Sequence, residues 1–238
     1  MWGKDKLAPL IWREGFEASV SMIGRILKSL VERGVVQPVP KLRKGSSHAP
    51  KKHKRVYATR LPKGVKPSKP GQIVQLDTVH IGLVPGKTIR HFTAYCPVAK
   101  WTVAKAYNRA TAAAAKLFLD KLTADMPFTV EGIQVDGGSE FMAEFETECK
   151  ARDLKLYVLP PKSPQLNGGV ERCNGAWRYE FYACTEMPGN VEALNPLIDD
   201  WADTYNFVRP HGALSGLTPS QYYLARQADE ATKSSHML

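Results

Sequence analysis

Apolar positions along this chain change their period at two places. Over 5–13 they keep helical spacing, with Asp5 as the expected cap, Pro9 tolerable near the first turn and Gly15 as the stop. A second helix is expected after Ser19 or Ser21, since Ile23, Ile26, Leu27, Leu30 and Val31 repeat at i, i+3, i+4, i+7 and i+8 before Gly34. Residues 37–70 carry no period and are rich in Pro, Lys, Ser and Gly, which predicts a linker that does not pack by itself. From 71 onward, strand and helix patterns alternate. Strands are expected over 73–81, 88–95, 98–107, 133–135 and 154–159. Helices are expected over 112–125 behind Thr111, over 139–152, over 169–184 and over 190–206. The chain thus divides into a helical unit at 1–36, a linker at 37–70, an α/β domain at 71–225 and a loose tail at 226–238.

Charge adds meaning to the linker. The formal net charge is +10, and 34–76 contain no Asp or Glu while holding Lys41, Arg43, Lys44, Lys51, Lys52, Lys54, Arg55, Arg60, Lys63, Lys66 and Lys69. Such a block repels itself and calls for a polyanion, which points to nucleic acid. Arg25 and Lys28 stand on the polar face of the second helix, so the front unit reads as a helix-turn-helix that meets duplex DNA. A plain helical hairpin is the alternative. No apolar run is long enough to span a membrane, and the start has no apolar signal core, so the expected location is the cytoplasm, at the nucleoid. Cysteines 96, 149, 173 and 184 lack zinc-site spacing and are expected as small core residues.

The candidate chemistry lies in three acids. Asp77 interrupts an apolar strand, with Ile73, Val74 and Leu76 before it and Val79 and Ile81 after it. Asp136 ends another apolar strand against Gly137 and Gly138, and Glu171 follows Asn167-Gly168-Gly169-Val170 at the start of a helix. Desolvating a carboxylate costs roughly several kcal/mol unless something binds it. Three gathered acids would need a divalent cation, and hard oxygen ligands select Mg²⁺ or Mn²⁺. Other acids fit ordinary roles: Glu140, Glu144, Glu146 and Glu148 suit a solvated helix face, and Asp199, Asp200 and Asp203 a polar helix. In the helix of Glu171, Val170, Cys173, Trp177, Phe181 and Cys184 form the core stripe, while Glu171, Asn174 and Arg178 share the neighbouring one.

Leu-Asp-Thr at 76–78, Asp-Gly-Gly-Ser-Glu-Phe at 136–141 and Ser-Pro-Gln-Leu-Asn-Gly-Gly-Val-Glu-Arg-Cys-Asn-Gly at 163–175 resemble the catalytic core of integrases and bacterial insertion-sequence transposases. So do Tyr-Asn-Phe-Val-Arg-Pro-His-Gly-Ala-Leu at 205–214 and Leu-Thr-Pro at 217–219. The spacing 137–170 is one residue shorter than usual in that family, a change the loop before Asn167 can absorb. The resemblance implies a ribonuclease H-like fold: a mixed five-stranded sheet flanked by helices, behind the small helix-turn-helix unit. It implies Asp77, Asp136 and Glu171 as catalytic metal ligands for two ions, Mg²⁺ or Mn²⁺, acting in DNA cleavage at transposon ends and transfer of 3′-hydroxyl ends to target DNA. It also implies a homo-oligomer on duplex DNA, bridging terminal repeats. Candidate DNA contacts are Arg25, Lys28, Lys51, Lys52, Lys54, Arg55, Lys162, Gln165, Asn167, Arg172, Asn174 and Arg178, with 167–169 as a mobile stretch that admits DNA. Two alternatives stay open: a ribonuclease H-like nuclease without joining activity, and a truncated DNA-binding remnant, since the first helix begins almost at Met1.

Overall fold

The computed structural model describes residues 2–37, 55, 57–62, 64–84, 86–160 and 166–235. Lys51, Lys52, Lys54, Lys162 and Gln165 lie outside the described residues. The chain groups into two compact units.

The larger unit holds Arg43–Gly175 and Met187–Ala202. Its sheet runs β3-β2-β1-β4-β5 from β1 (Val74–Val84), β2 (Lys87–Tyr95), β3 (Thr102–Tyr107), β4 (Gly132–Val135) and β5 (Lys155–Val158). The first three strands are antiparallel neighbours, whereas β4 joins β1 in parallel and β5 joins β4 in parallel. The third strand starts at Thr102 rather than 98, because Pro97 and the left-handed Lys100 (φ 59°) make a turn of the expected strand start. Helix α3 (Ala112–Asp125) begins where Thr111 accepts a hydrogen bond from the Ala114 N–H at 3.1 Å, and helix α4 (Glu144–Ala151) follows β4. The helix expected over 139–152 is broken into a 3-10 turn at Ser139–Phe141 and α4, with Ala143 at φ 49° between them.

Alternation along β1 sorts the two faces. Phe92 of β2 pairs with Thr78 and packs on Phe118 of α3 and on Phe141, which identifies one face. Gln75 is on the other, where helix α5 (Gly168–Ala176) lies. Both sheet edges are covered. The side chain of Asn195, on helix α6 (Val191–Asp203), exchanges hydrogen bonds with the backbone of Ala106 on β3. At the far edge, Thr59 bridges Tyr157 in parallel, donating to Leu156 O at 2.9 Å and accepting from the Val158 N–H at 2.8 Å. The expected linker therefore packs on β5 in this stretch. Unpaired edge groups and Tyr57, whose hydroxyl donates to Leu154 O, supply the reason.

The smaller unit holds Met1–Leu42, Ala176–Glu186 and Asp203–Leu238. Helix α1 (Lys4–Arg13) starts at Gly3, so Asp5 lies in its first turn and does not cap it. Helix α2 (Val20–Glu32) is capped by Ser19, whose hydroxyl accepts from the Met22 N–H at 3.2 Å. Of its apolar stripe Ile23 is buried, while Ile26 is 48% exposed. Glu180, on the π-helical turn Trp177–Tyr182, receives Lys6 and two hydrogen bonds from buried Arg209, at 2.7 and 2.9 Å. Arg209 also lies 4.8 Å from the ring centroid of Tyr205. The Arg-Pro-His word thus supplies an internal ion-pair cluster. The expected loose tail is helical as far as Ser235, in α7 (Pro219–Ser235), because 224–232 are rich in helix formers and Arg226 pairs with Glu230 at 3.1 Å.

Candidate active site

Two of the three predicted acids lie on or directly after neighbouring parallel strands. The parallel register pairs Val74 with Ile133 and Gln75 with Gln134. Asp77 lies two residues past Gln75 within β1, and Asp136 is the first residue after β4 ends at Val135, so both acids follow the paired stretch of these neighbouring strands. Asp77, two residues from Gln75 on the same strand, is on the face under α5. Gln75 and Gln134, each two residues before an acid, are both buried, and both donate to Leu166 O, at 3.1 and 2.9 Å. The Val170 N–H donates in turn to Gln75 Oε1 at 3.1 Å. Two buried glutamines thus hold the segment that leads into α5.

Each aspartate has a directed partner. Asp77 Oδ2 accepts from Asn174 Nδ2 at 2.7 Å, and Asp77 Oδ1 accepts from the Thr78 N–H at 3.0 Å. Asp136 Oδ1 accepts from the Gly138 N–H at 2.8 Å, which folds the carboxylate back over its own turn. Asn174 is one helical turn beyond Glu171, so the face of α5 that reaches Asp77 is the face carrying Glu171. Glu171 itself is exposed. Among the described residues no three His, Cys, Asp or Glu side chains stand close enough to hold a metal ion together. The Asn174–Asp77 hydrogen bond joins α5, the helix of Glu171, to β1, but the side chains of the three acids are not gathered.

The donor chemistry still fits a hard cation. The half-buried carboxylates of Asp77 and Asp136 offer oxygen ligands, and Asn174 Oδ1 is buried beside Asp77 without a hydrogen-bond partner among the described residues. Glu140, set aside in the sequence as solvated, is half-buried beside Asp136. A Cβ on Gly138 would stand 2.7 Å from Glu140 Oε2 and 2.9 Å from Asp136 Oδ1. His80 is pushed below its usual range, first by burial and then by Arg90, with Glu140 opposing.

The candidate DNA contacts divide. Arg25, Lys28 and Arg172 are exposed, Lys28 lying 3.7 Å from Glu32, and Arg178 is half-buried. Asn174 is 2% exposed and spent on Asp77, and Asn167 is buried, so neither side chain presents itself to a duplex. Gly168 and Gly169 form the first turn of α5, and Gly169 packs on Gln75 and Tyr95; the expected mobile stretch is a seated helix start. Arg55 is also turned inward, bonded to Glu146 and to backbone carbonyls. Glu146, expected on a solvated face, is its buried partner. Cys96, Cys149 and Cys173 are core residues as expected, whereas Cys184 is exposed. Lys100, which no motif marked, donates from its ammonium to Pro97 O at 2.5 Å and is pushed down by burial and then by the charge of Arg172.

Comparison with known proteins agrees with this architecture. Residues 152–219 match the integrase core domain family. An uncharacterized protein of insertion element IS136 from Agrobacterium fabrum is 28% identical over 100 residues, covering 42% of this chain and 51% of that protein. An uncharacterized 39.2 kDa protein of insertion element IS476 from Xanthomonas euvesicatoria is 27% identical over 103 residues, covering 42% of this chain and 30% of that protein. The chain spans about half the length of the first of these relatives. The catalytic core domain of BIV integrase superposes with a TM-score of 0.54 at 22% identity, covering 68% of this chain and 99% of that one. The HTLV-2 integrase catalytic core domain, solved in complex with magnesium, gives 0.51 at 19% identity, covering 65% of this chain and 97% of that one. A simian T-cell lymphotropic virus intasome, solved with the PP2A regulatory subunit B56 gamma, gives 0.57 at 19% identity, covering 76% of this chain and 60% of that one.

The fold is the ribonuclease H-like core of retroviral integrases, a mixed five-stranded sheet flanked by helices. The insertion-element relatives and the integrase core domain match over 152–219 agree with the resemblance carried by the motifs. Among the described residues no helix is long and apolar enough to cross a membrane.

Proposed function

We propose that this chain is a DNA transposase whose integrase-type core cleaves phosphodiesters at the ends of its element and joins the freed 3′-hydroxyl to target DNA. The observation that supports the reading is Asp77 within β1 and Asp136 just past the end of its parallel neighbour β4, with Asn174 tying the Glu171 face of α5 to Asp77. Asp77, Asp136 and Glu171 would hold Mg²⁺ or Mn²⁺, two ions in all; when bound, these neutralise phosphate charge and make a water or hydroxyl a better nucleophile. The HTLV-2 neighbour's magnesium supports that choice of cation.

The protein's own residues orient that chemistry. Asn174 fixes one oxygen of Asp77, the Gly138 N–H fixes one of Asp136, and the two glutamines hold the segment that leads into α5. Glu171 closes on the pair by turning a long exposed side chain. Arg172 and Lys100 meet a DNA phosphate, which relieves their mutual repulsion. Arg25 and Lys28 of the 1–36 unit contact the terminal repeats, and Lys51, Lys52, Lys54, Lys162 and Gln165 hold backbone phosphates, as a homo-oligomer bridging two DNA ends at the nucleoid requires.

The test uses labelled terminal repeats, Mg²⁺ or Mn²⁺ and a plasmid target. The unmodified chain is expected to cut and join, while Asp136→Asn reduces both to background and keeps its DNA affinity. Strand transfer retained by Asp136→Asn would refute the assignment, and cleavage with no joining would leave the nuclease reading standing.

A further inference from the structure

We infer that Arg55 is a positioning residue for Asp136, a role that rests on the function proposed above and differs from the DNA contact its place in a basic run suggests. Its guanidinium donates from Nη1 to Phe141 O at 2.7 Å and to Glu146 Oε1 at 3.1 Å. Nη2 faces Asp136 O and Gly138 O, each at the long distance of 3.4 Å. One planar fork therefore reaches both ends of the turn 136–141 and its middle. Glu146, 5% exposed, is held from a second side by the Tyr57 N–H, which donates to Oε2 at 3.1 Å.

The arrangement is more than a surface ion pair. Both side chains are largely buried, 12% and 7% exposed, and a buried pair is not by itself a gain in stability, because desolvation offsets the attraction. What the pair accomplishes is geometric. A planar cation with five donors can serve a carboxylate and several carbonyls at once, whereas an ammonium can aim at fewer acceptors in one plane. The turn it serves carries Asp136 at its head. The turn has weak internal support, with Gly137 and Gly138 in sequence and a left-handed Ala143 just beyond. At its far end Phe141 is anchored by edge contacts to Phe92 and Phe145. Arg55 ties the glycine half of the turn to that anchored end and to α4. The Asp136 carboxylate, folded onto the Gly138 N–H, inherits its direction from this strut.

The experiment compares the full chain with Arg55→Lys, and with the double variant Arg55→Met/Glu146→Met. The double variant removes the fork and its carboxylate together, so no buried charge is left alone. Three readouts are taken: amide hydrogen exchange over 136–142 without metal, Mn²⁺ binding by calorimetry, and affinity for duplex DNA. In both variants we expect exchange over 136–142 to accelerate at least tenfold, Mn²⁺ binding to weaken at least tenfold, and DNA affinity to stay within twofold. A folded variant with exchange and Mn²⁺ affinity like the unmodified chain would overturn the inference. So would a loss of DNA affinity with exchange unchanged, because Arg55 would then act on DNA. If the unmodified chain binds no Mn²⁺, the proposed function fails, and the exchange measurement alone still decides whether Arg55 holds the turn.

Discussion

Adding one methyl group at Gly169 tests how α5 is seated over the acids. A Cβ there would lie 2.5 Å from Gln75 Oε1 and 3.0 Å from Tyr95 Cε1, and the first distance is too short to keep. Gln75 cannot move freely, since its amide donates to Leu166 O while Oε1 receives the Val170 N–H. Overpacking of this kind costs about 1–3 kcal/mol, and losing the Val170 hydrogen bond adds roughly 1 kcal/mol. Alanine's better helix propensity returns about 1 kcal/mol. The net expectation for Gly169→Ala is a destabilisation of about 1–3 kcal/mol, which for a chain of this size lowers the melting temperature by roughly 2–4 °C per kcal/mol. Gly168→Ala is the control: it sits one residue earlier in the same helix, has nothing within 4 Å of its added Cβ, and should be neutral or slightly stabilising. Thermal and urea denaturation of both variants give the comparison, and metal-dependent cleavage should fall for Gly169→Ala, because Glu171 rides on the displaced turn. Equal stability of the two variants would refute the seating of α5 on Gln75.

Asn174→Ala removes the donor from Asp77 Oδ2, a hydrogen bond to a charged acceptor worth roughly 1.5–3 kcal/mol. If that energy serves the reaction, turnover falls roughly ten- to hundredfold at unchanged DNA affinity; single-turnover cleavage decides, and an unaltered rate would remove Asn174 from the site. For the thiols, Cys184 should react alone with a thiol reagent in the native protein, and Cys96, Cys149 and Cys173 only on unfolding, as mass spectrometry of the labelled chain would show. Burial pushes the Cys149 thiol from 9.0 up to about 12. Because the folded state holds this proton more tightly than the unfolded one, Cys149 lowers stability as pH climbs from 9.0 towards 12, and native labelling of Cys149 at pH 8 would contradict its burial.

Several corrections share one origin. Arg55 and Glu146 are 91 residues apart, and each by itself looks like an ordinary surface charge in a charged stretch. Only the return of 57–60 along the open edge of β5 brings them together, and the edge is open because β5 is the last strand of the sheet. Asn174 shows the same logic at closer range. Helical spacing placed it beside Glu171, but its partner lies on β1, and which neighbour wins depends on the sheet beneath.

What the amino-acid sequence determined unaided is what local physics controls. The order of strands and helices, the cap at Thr111, and Asp77 within a strand all follow from period, capping chemistry and the cost of an apolar strand interrupted by a charge, whereas the choice of Ser19 over Ser21 as a cap came from the structure. The motif words carried the resemblance and with it the expectation of a mixed five-stranded sheet, whose order and directions the structure supplied. Tertiary structure alone decided which charges are spent inside. It turned Arg55 and Arg209 inward, buried Glu146 and Asn174, left Cys184 outside, and tied Asp77 to Asn174 while keeping Glu171 exposed. The reason is that burial and pairing depend on residues tens of positions away, whose approach is set by strand register and edge closure and leaves no trace in local spacing.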